Sequence, residues 1–212
     1  MNQQKPKQFS RELLKTLLPE DAIIIEAGAH IGRDTLKLST LFPNGTIHAF
    51  EPVPYLFAEL KKATENRKNI HCYNYALSNK TGTEIMFVSS EQCTALSSLL
   101  KPAEIAQEKP DISFIPTTVN TITLDDWTQK YNIDHVDFLW LDLQGHELTA
   151  LQAAPNILKT AKALLIEVSL TERYKENPLY PQVKTWLEKQ GFSVYIENLH
   201  HNTWGNVLFV KN

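Results

Sequence analysis

Short apolar runs alternate with longer stretches of helical spacing along most of this chain. Apolar runs lie at 22–25, 46–50, 136–141 and 163–166, and the segments between them repeat apolar residues every three or four positions. Parallel strands are buried on both faces and are joined by helices, which produces this alternation. We therefore expect a three-layer α/β sandwich. Further strands are predicted at 70–76, 192–196 and 206–210.

Length and composition fit one domain over residues 1–212. The chain has 212 residues, of which 42% are apolar, and these are enough to fill one core without disulfides. We expect a helical lead-in over residues 1–20. Residues 89–116 contain three prolines and little periodicity, so they are predicted to be irregular. Long irregular segments in compact domains usually serve function, and this one is predicted to cover the acceptor site.

Charge and cysteine content argue against several classes of protein. The formal net charge is -3, whereas a nucleic-acid binder needs a basic face to neutralise phosphates. The two cysteines, Cys72 and Cys93, do not form a disulfide scaffold or a cysteine zinc site. No apolar run approaches the roughly 18 residues of a membrane span, and residues 1–10 lack the apolar core of an export signal. The sequence predicts a cytoplasmic protein without a membrane partner.

A glycine turn follows the first predicted strand and contains Glu26, Gly28, His30 and Gly32. In a doubly wound sheet this turn normally touches the ligand. A dinucleotide-binding turn has the pattern G-x-G-x-x-G, in which the middle glycine lets the backbone approach a pyrophosphate. Histidine stands at that middle position here, so a nicotinamide-dependent oxidoreductase is the less favoured alternative.

Two acids near this turn favour a nucleoside that carries positive charge. Glu26, if ionised at the mouth of the turn, would repel a pyrophosphate and attract a cation. Glu51 ends the second strand, 19 residues after Gly32, and an acid at about this distance accepts hydrogen bonds from ribose hydroxyls. S-adenosylmethionine has a sulfonium, an ammonium and a ribose, so it satisfies each requirement. The alternative is an ordinary strand-to-helix turn followed by a surface acid before Pro52.

The order and spacing of four sequence blocks resemble the FkbM-type methyltransferases, which have the class I S-adenosylmethionine-dependent fold. The blocks are IEAGAHIG at 25–32, HAFEPVP at 48–54, NYALSN at 74–79 and VDFLWLDLQGHEL at 136–148. The TLDD segment at 123–126 is also similar to the family, so the resemblance covers residues 22–168. It implies a Rossmann-like fold with a seven-stranded, mostly parallel sheet whose last strand is reversed.

The resemblance also implies O-methyl transfer, commonly to sugars or natural-product hydroxyls. The cofactor-binding residues that it implies are Glu26, Gly28, His30 and Gly32 at the methionine portion, Glu51 and Pro52 at the ribose, Ala76, Leu77 and Ser78 at the adenine edge, and Asp142 under the methyl group. Three positions depart from the family, which usually has Lys at Trp140 and Glu at Gln144 and more commonly has Asp at Glu26. Gln144 cannot act as a base or as a charged metal ligand. A catalytically silent cofactor-binding domain is therefore a further alternative.

Methyl transfer requires alignment of the acceptor oxygen and a group that takes the acceptor's proton. The candidates at the carboxyl ends of central strands are Asp142, His146, Glu147 and Glu167. We predict Asp142 and His146 as catalytic residues. An acid that ends the most apolar strand must find partners or solvent, and a helix N-terminus would favour neutral imidazole. The alternatives are a solvated or capping His146 and a Glu147 that complements the helix dipole.

Acceptor contacts are predicted where the sixth strand turns back into the seventh. If the sixth strand is parallel and the seventh reversed, the loop at 197–205 lies at the ligand end. Glu167, His200, His201 and Trp204 are the candidates, since an aromatic ring beside polar groups suits a small hydroxylated acceptor. An exposed turn is the alternative. No carboxylate spacing matches the adjacent histidines, so no metal site is predicted.

Overall fold

The structure is a computed structural model that describes residues 8–90, 93–200 and 202–212. Ten strands carry the fold: β1 (Ile23–Ala27), β2 (Thr46–Phe50), β3 (Ile70–Tyr73), β4 (Ala76–Leu77), β5 (Gly82–Ser89), β6 (Phe114–Ile122), β7 (Phe138–Leu141), β8 (Ala163–Ser169), β9 (Phe192–His200) and β10 (Trp204–Lys211). The α-helices are α1 (Leu14–Leu17), α2 (Arg33–Leu41), α3 (Pro54–Thr64), α4 (Glu104–Glu108), α5 (Leu124–Tyr131), α6 (Glu147–Gln152), α7 (Ile157–Thr160) and α8 (Tyr180–Lys189). Arg11–Leu13 and Thr94–Leu96 are 3₁₀ turns.

Seven of these strands form one sheet in the order β3-β2-β1-β7-β8-β10-β9. The pairs among β3, β2, β1, β7 and β8 are parallel, whereas β10 is antiparallel to both β8 and β9. The predicted seven-stranded sheet with a reversed last strand is therefore confirmed. Strand order changes direction between β1 and β7, and ligands of such sheets bind outside the carboxyl ends of the strands at that point.

The central strands are buried on both faces because they consist almost entirely of branched apolar residues. Ile25 and Leu139 lie opposite each other on β1 and β7 and pack with Leu164 on one face of the sheet. Ile24 and Phe138 pack on the other face. Each such side chain contributes about 1.5–3 kcal/mol of burial free energy, which holds the strand ends, and hence the ligand edge, in fixed register.

A second sheet of three strands, in the order β4-β6-β5, stands beside the first. The predicted strand at 70–76 is wrong in its second half, because β3 ends at Tyr73 and Ala76–Leu77 pairs with β6 in the second sheet. Asn74 makes this change of direction possible, since its side-chain amide donates to the backbone oxygens of Glu51 (2.8 Å) and Pro52 (3.0 Å). These bonds satisfy backbone groups just beyond β2.

Two further predictions need correction. Residues 89–116 are not irregular throughout, since they contain Thr94–Leu96, α4 and the first part of β6. The helical spacing of Leu148, Leu151 and Ala154 predicts one helix over 146–158, but the structure has two, α6 and α7, with Pro155 between them, because a proline cannot continue the helical hydrogen bonds. Within the described part of the chain, helices are too short or too polar to cross a membrane.

Candidate active site

A cavity opens at the carboxyl ends of β1, β2 and β7. Its volume is about 680 Å³, including the part that is open to solvent. The wall is formed by Ala27, Gly28, His30, Phe50, Glu51, Pro52, Leu56, Tyr75, Ala76, Leu77, Met86, Thr94, Ala95, Ser97, Leu99, Asp142, Leu143, Gln144 and His146. The sheet topology therefore brings residues of the glycine turn, the second-strand acid and the end of β7 to one place.

At Gly28 the glycine turn contacts the end of β7. Gly28 has a φ of +86°, and a Cβ atom there would lie 2.1 Å from the backbone oxygen of Asp142. The amide groups of Gly28 and Ala29 both donate to the Phe50 oxygen, at 3.1 and 2.9 Å, and the Asp142 amide donates to Ala27. Only glycine fits here, because the turn is left-handed and the neighbouring backbone occupies the side-chain space.

Glu51 is buried, and both of its carboxylate oxygens are bonded to the backbone. Oε2 accepts from the amide of His30 (2.9 Å), and Oε1 accepts from the amide of Val53 (2.8 Å). Burial raises the pKa of Glu51 to about 7, although the two amide donors partly oppose this shift. Each carboxylate oxygen has a second lone pair, so the group can still accept hydrogen bonds from a ligand.

His30 is half-buried and adopts a φ of 52°, in the left-handed region that a side chain seldom occupies. Its Nε2 atom lies 2.6 Å from the hydroxyl of Thr94, in the segment that crosses the cavity. Burial lowers the pKa of His30. The side chain thus links the glycine turn to residues 93–99.

Glu26 and Gly32 were predicted with this turn but are not among the described residues of the cavity wall. Glu26 is buried, and its Oε2 atom has no hydrogen-bond partner among the residues that the structure describes. Burial raises the pKa of Glu26 to about 8. Gly32 has a φ of +82° before α2, and a Cβ there would lie 2.8 Å from Leu60, so it serves helix packing.

Trp140, which departs from the family pattern, faces the N-terminal segment. It lies opposite Glu26 in the register of β1 and β7. The ring of Phe9 meets it edge-on at 5.8 Å, and the guanidinium carbon of Arg11 lies 5.3 Å from its centroid. Arg11 also pairs with Asp34. The family usually has a lysine at position 140; here a positive charge lies at the same place but belongs to the guanidinium of Arg11.

Asp142 is joined to Glu167 through Gln144. The Gln144 amide nitrogen donates to Asp142 Oδ1 (2.7 Å) and to Glu167 Oε1 (2.8 Å). Burial is the main cause that raises the pKa of Asp142, and it raises that of Glu167 well above its ordinary value. Asp142 lines the cavity, whereas Glu167 lies behind Gln144 and is not in the wall. The sequence predicts both acids at this edge of the sheet but not the amide that joins them.

His146 is connected to Ser78, a residue that the resemblance places at the adenine edge. Its Nε2 atom lies 3.2 Å from the Ser78 hydroxyl, which in turn donates to Glu84 (2.6 Å). Nδ1 of His146 is buried and has no partner within residues 8–90, 93–200 and 202–212. Burial lowers the pKa of this imidazole. Ser78 is fully buried behind Ala76 and Leu77, which are in the cavity wall.

The predicted acceptor residues lie at the same edge of the sheet but apart from the cavity wall. His200 and Trp204 face each other across β9 and β10, with ring centroids 4.7 Å apart, and Trp204 lies opposite Ser169 of β8. His201 lies outside the described residues. In the described part of the chain, no three His, Cys, Asp or Glu side chains converge as metal ligands would.

Several wall residues gave no signal in the sequence. Thr94, Ser97 and Leu99 come from a segment without periodicity, and Met86 comes from the weakly alternating β5. The sequence predicts that residues 89–116 cover the acceptor site, but it does not indicate which of these residues line the cavity. Tyr75 could have been found, because it stands inside the NYALSN block beside Ala76.

Comparisons with known proteins agree with this geometry. A family model described as the methyltransferase FkbM domain matches residues 26–194. The 2-O-methyltransferase NoeI of Sinorhizobium fredii (strain NBRC 101917 / NGR234) is 23% identical over 171 residues, which cover 78% of this chain and 70% of NoeI. The likeness extends through most of both proteins.

Solved structures show the same fold at low identity. The Streptococcus mutans protein SMU.1697c, crystallised in complex with SAH, matches 97% of this chain and 100% of its own, with a TM-score of 0.56 and 15% identity. The Methanococcus jannaschii fibrillarin pre-rRNA processing protein has a TM-score of 0.58 at 16% identity, over 98% of this chain and 71% of its own. Because the family model spans far more than half of its length, this chain belongs to the FkbM methyltransferase family.

Proposed function

We propose that this methyltransferase transfers the methyl group of S-adenosylmethionine to a hydroxyl oxygen of a small acceptor. The observation that carries the proposal is the contact of Gly28 with Asp142, which puts a half-buried carboxyl group on the wall of the cavity at the switch point of the sheet. Binding of the cofactor is supported by SMU.1697c, whose structure contains SAH. The oxygen as methyl acceptor is supported by NoeI, which is named a 2-O-methyltransferase.

The residues present fit this cofactor. Glu51 has lone pairs for the ribose hydroxyls, and Ala76 and Leu77 give an apolar wall for the adenine ring. Glu26 and Asp142 are carboxyl groups without a cation in salt-bridge contact among the described residues, so they suit the ammonium and the sulfonium. When bound, S-adenosylmethionine supplies the methyl group and leaves as S-adenosylhomocysteine, while the acceptor hydroxyl loses its proton.

In this proposal the chain aligns the acceptor, excludes water and receives the proton. Asp142 accepts that proton, because its carboxyl group lies on the cavity wall beside Gly28, whereas both oxygens of Glu51 are already bonded to backbone amides. Leu99, Met86 and Leu56 form apolar walls that limit the access of water. Glu167, His200 and Trp204 remain candidates for acceptor binding at the same sheet edge. The net charge of -3 favours a small acceptor over a nucleic acid.

The test is the release of S-adenosylhomocysteine when the purified protein meets S-adenosylmethionine and a panel of monosaccharides, glycosides and phenols. We expect release with at least one hydroxylated compound and a methyl ether as the second product. Saturable NADH binding without any response to S-adenosylmethionine would show an oxidoreductase instead. Binding of S-adenosylmethionine without release on any compound would show a silent domain.

The ribose contact has a separate test. Glu51→Ala should weaken S-adenosylmethionine binding by about 10- to 100-fold, since it removes charge-assisted hydrogen bonds. Glu59→Ala, on the exposed side of α3, is the matched control and should bind normally. Titration followed by tryptophan fluorescence measures both. Equal affinities for the two variants would remove Glu51 from the cofactor site.

A further inference from the structure

The side-chain nitrogen and oxygen of Gln144 both form hydrogen bonds with other side chains. A glutamine amide has two N–H donors, and here one goes to Asp142 Oδ1 at 2.7 Å and the other to Glu167 Oε1 at 2.8 Å. Its own oxygen accepts from the hydroxyl of Tyr174 at 2.9 Å. A single amide thus joins the end of β7, the end of β8 and the segment after β8.

The two carboxyl groups and the Tyr174 hydroxyl together set which way this amide faces. Tyr174 is 1% exposed, and its own amide donates to Asn177 at 3.0 Å, so the ring has little freedom to turn away. Its hydroxyl proton is shared between the Gln144 oxygen (2.9 Å) and the Leu96 backbone oxygen (3.0 Å), and with the Gln144 oxygen on this hydroxyl the nitrogen points to the two carboxyl groups. A reversed amide would place its oxygen against both carboxyl groups and lose two hydrogen bonds.

The backbone around Gln144 is also shaped to present this side chain. Gln144 has a φ of 52°, a left-handed conformation that is unfavourable for a non-glycine residue. Glu147 Oε1 accepts from the amides of Leu143 (2.7 Å) and Gly145 (3.2 Å), and the Ser98 hydroxyl donates to the Gln144 backbone oxygen (2.8 Å). The bonds of the turn and of the amide offset the cost of the left-handed residue.

We infer that Gln144 is a positioning residue that holds Asp142 and Glu167 together as one coupled pair of carboxyl groups, in which Asp142 faces the methyl-transfer point and Glu167 influences it from behind the amide. This inference rests on the proposed function, and it adds a second carboxyl group that is coupled to the proton-accepting one. The amide binds one oxygen of each acid. Asp142 Oδ2 takes no hydrogen bond from any residue in the described ranges and lies on the cavity wall, so it remains available to an acceptor hydroxyl, whereas Glu167 behind Gln144 acts on Asp142 through its charge and the shared amide.

An amide suits this position better than a carboxylate because the surroundings are already acidic. Burial raises the pKa of both acids, and Asp142 and Glu167 each disfavour the other's charge. Arg173 is the nearest cation among the described residues, with Nη1 4.0 Å from Glu167 Oε1. The ionisable groups that face the pair are Glu147 of α6, Arg173 and Tyr174 after β8, and Asp34 of α2. A third carboxylate at position 144 would repel both acids.

The experiment compares Gln144→Glu and Tyr174→Phe with the wild-type protein by two readouts. The first is the ¹³C titration of the Asp142 and Glu167 carboxyl groups, assigned with Asp142→Asn and Glu167→Gln and recorded without acceptor. The second is the pH profile of turnover on a hydroxylated compound found in the panel. Gln144→Glu should shift the midpoint of the carboxyl titration, and the pH at which turnover rises, to values about 1 pH unit higher, as a like charge in a shared site does. Tyr174→Phe should move them in the same direction but less.

Gln152→Glu is the matched control, since it makes the same change at an exposed position on α6 and should leave both curves in place. Unchanged carboxyl titrations in both Gln144→Glu and Tyr174→Phe would overturn the inference. If Gln144→Glu does not fold, the carboxyl titration of Tyr174→Phe alone tests the inference. Because the carboxyl titration needs no acceptor, shifted titrations without any methyl transfer would contradict the proposed function and leave the pair standing.

Discussion

A Cβ atom on Gly28 would lie 2.1 Å from the backbone oxygen of Asp142, which is closer than two such atoms can approach. The turn after β1 and the end of β7 therefore fit together only when residue 28 has no side chain. The same contact places the Asp142 carboxyl group next to the turn that is proposed to hold the methionine portion. Backbone packing and the proposed chemistry thus depend on one pair of residues.

Gly28→Ala should separate these two segments. We expect a loss of more than about 2 kcal/mol of unfolding free energy, from left-handed strain and from the clash, together with a cofactor affinity at least about tenfold lower. Urea unfolding and calorimetric titration measure the two effects. Gly191→Ala is the control, because it has a φ of +83° but no heavy atom closer than 3.8 Å, and should show only the strain. Equal losses of unfolding free energy in Gly28→Ala and Gly191→Ala would contradict a steric clash between residue 28 and Asp142.

Glu26 should release a proton when S-adenosylmethionine binds near neutral pH. Burial raises its pKa to about 8, so at pH 7 the carboxyl group is mostly protonated in the free protein. A cation beside it favours the ionised form and drives the proton off. The release should fade above pH 8, where the group is already charged. Because the pKa is raised on folding, its contribution to stability is complete below pH 4.5 and is lost as pH rises through 8.

Calorimetric titration in phosphate and in Tris at pH 7 measures this release, since the two buffers differ in their heat of protonation. The difference in apparent binding enthalpy should shrink in Glu26→Gln and persist in Glu20→Gln, where the acid is exposed. An identical enthalpy in both buffers for the wild-type protein would place Glu26 away from the cofactor's charge.

His146 should be neutral and should carry its proton on Nε2. The Ser78 hydroxyl donates to Glu84 at 2.6 Å, so it can only accept from His146, and burial lowers the pKa of the imidazole. Nitrogen-15 shifts of the ring should report one tautomer from pH 6 to 8. Ser78→Ala should mix the tautomers, whereas Ser193→Ala on the exposed face of β9 should not. A protonated ring at pH 7 would exclude His146 as a proton acceptor.

The main sheet could be predicted because most of its strands are short runs of neighbouring, mainly apolar residues. Residues 46–50 form β2 with the predicted bounds, and Gly28 and Gly32 lie in the predicted turn after β1. The TLDD segment at 123–126 is typical of a helix N-terminus, and Thr123 accepts from the amide of Asp126 (3.0 Å) at the start of α5. Features that depend on a few neighbouring residues were therefore accessible.

Contacts between residues that are far apart in the chain could not be predicted from the sequence. Tyr174 meets Gln144 across 30 positions, and His30 meets Thr94 across 64. No spacing rule connects such pairs, because the turns that bring them together are set by tertiary packing. For the same reason Gln144 looked like a defect of the motif, whereas the structure gives its amide three partners.

Asp142→Asn should lower turnover far more than cofactor binding. Asparagine keeps an oxygen that can accept from Gln144, so the turn after β7 and the fold should persist, but the variant cannot take the acceptor's proton. Loss of a general base typically costs about 10²- to 10⁴-fold in rate. We expect such a fall in single-turnover rate with S-adenosylmethionine affinity within about tenfold of wild type. Asp134→Asn, at an exposed position before β7, should match the wild-type rate. An unchanged rate in Asp142→Asn on a competent acceptor would assign the proton to another group.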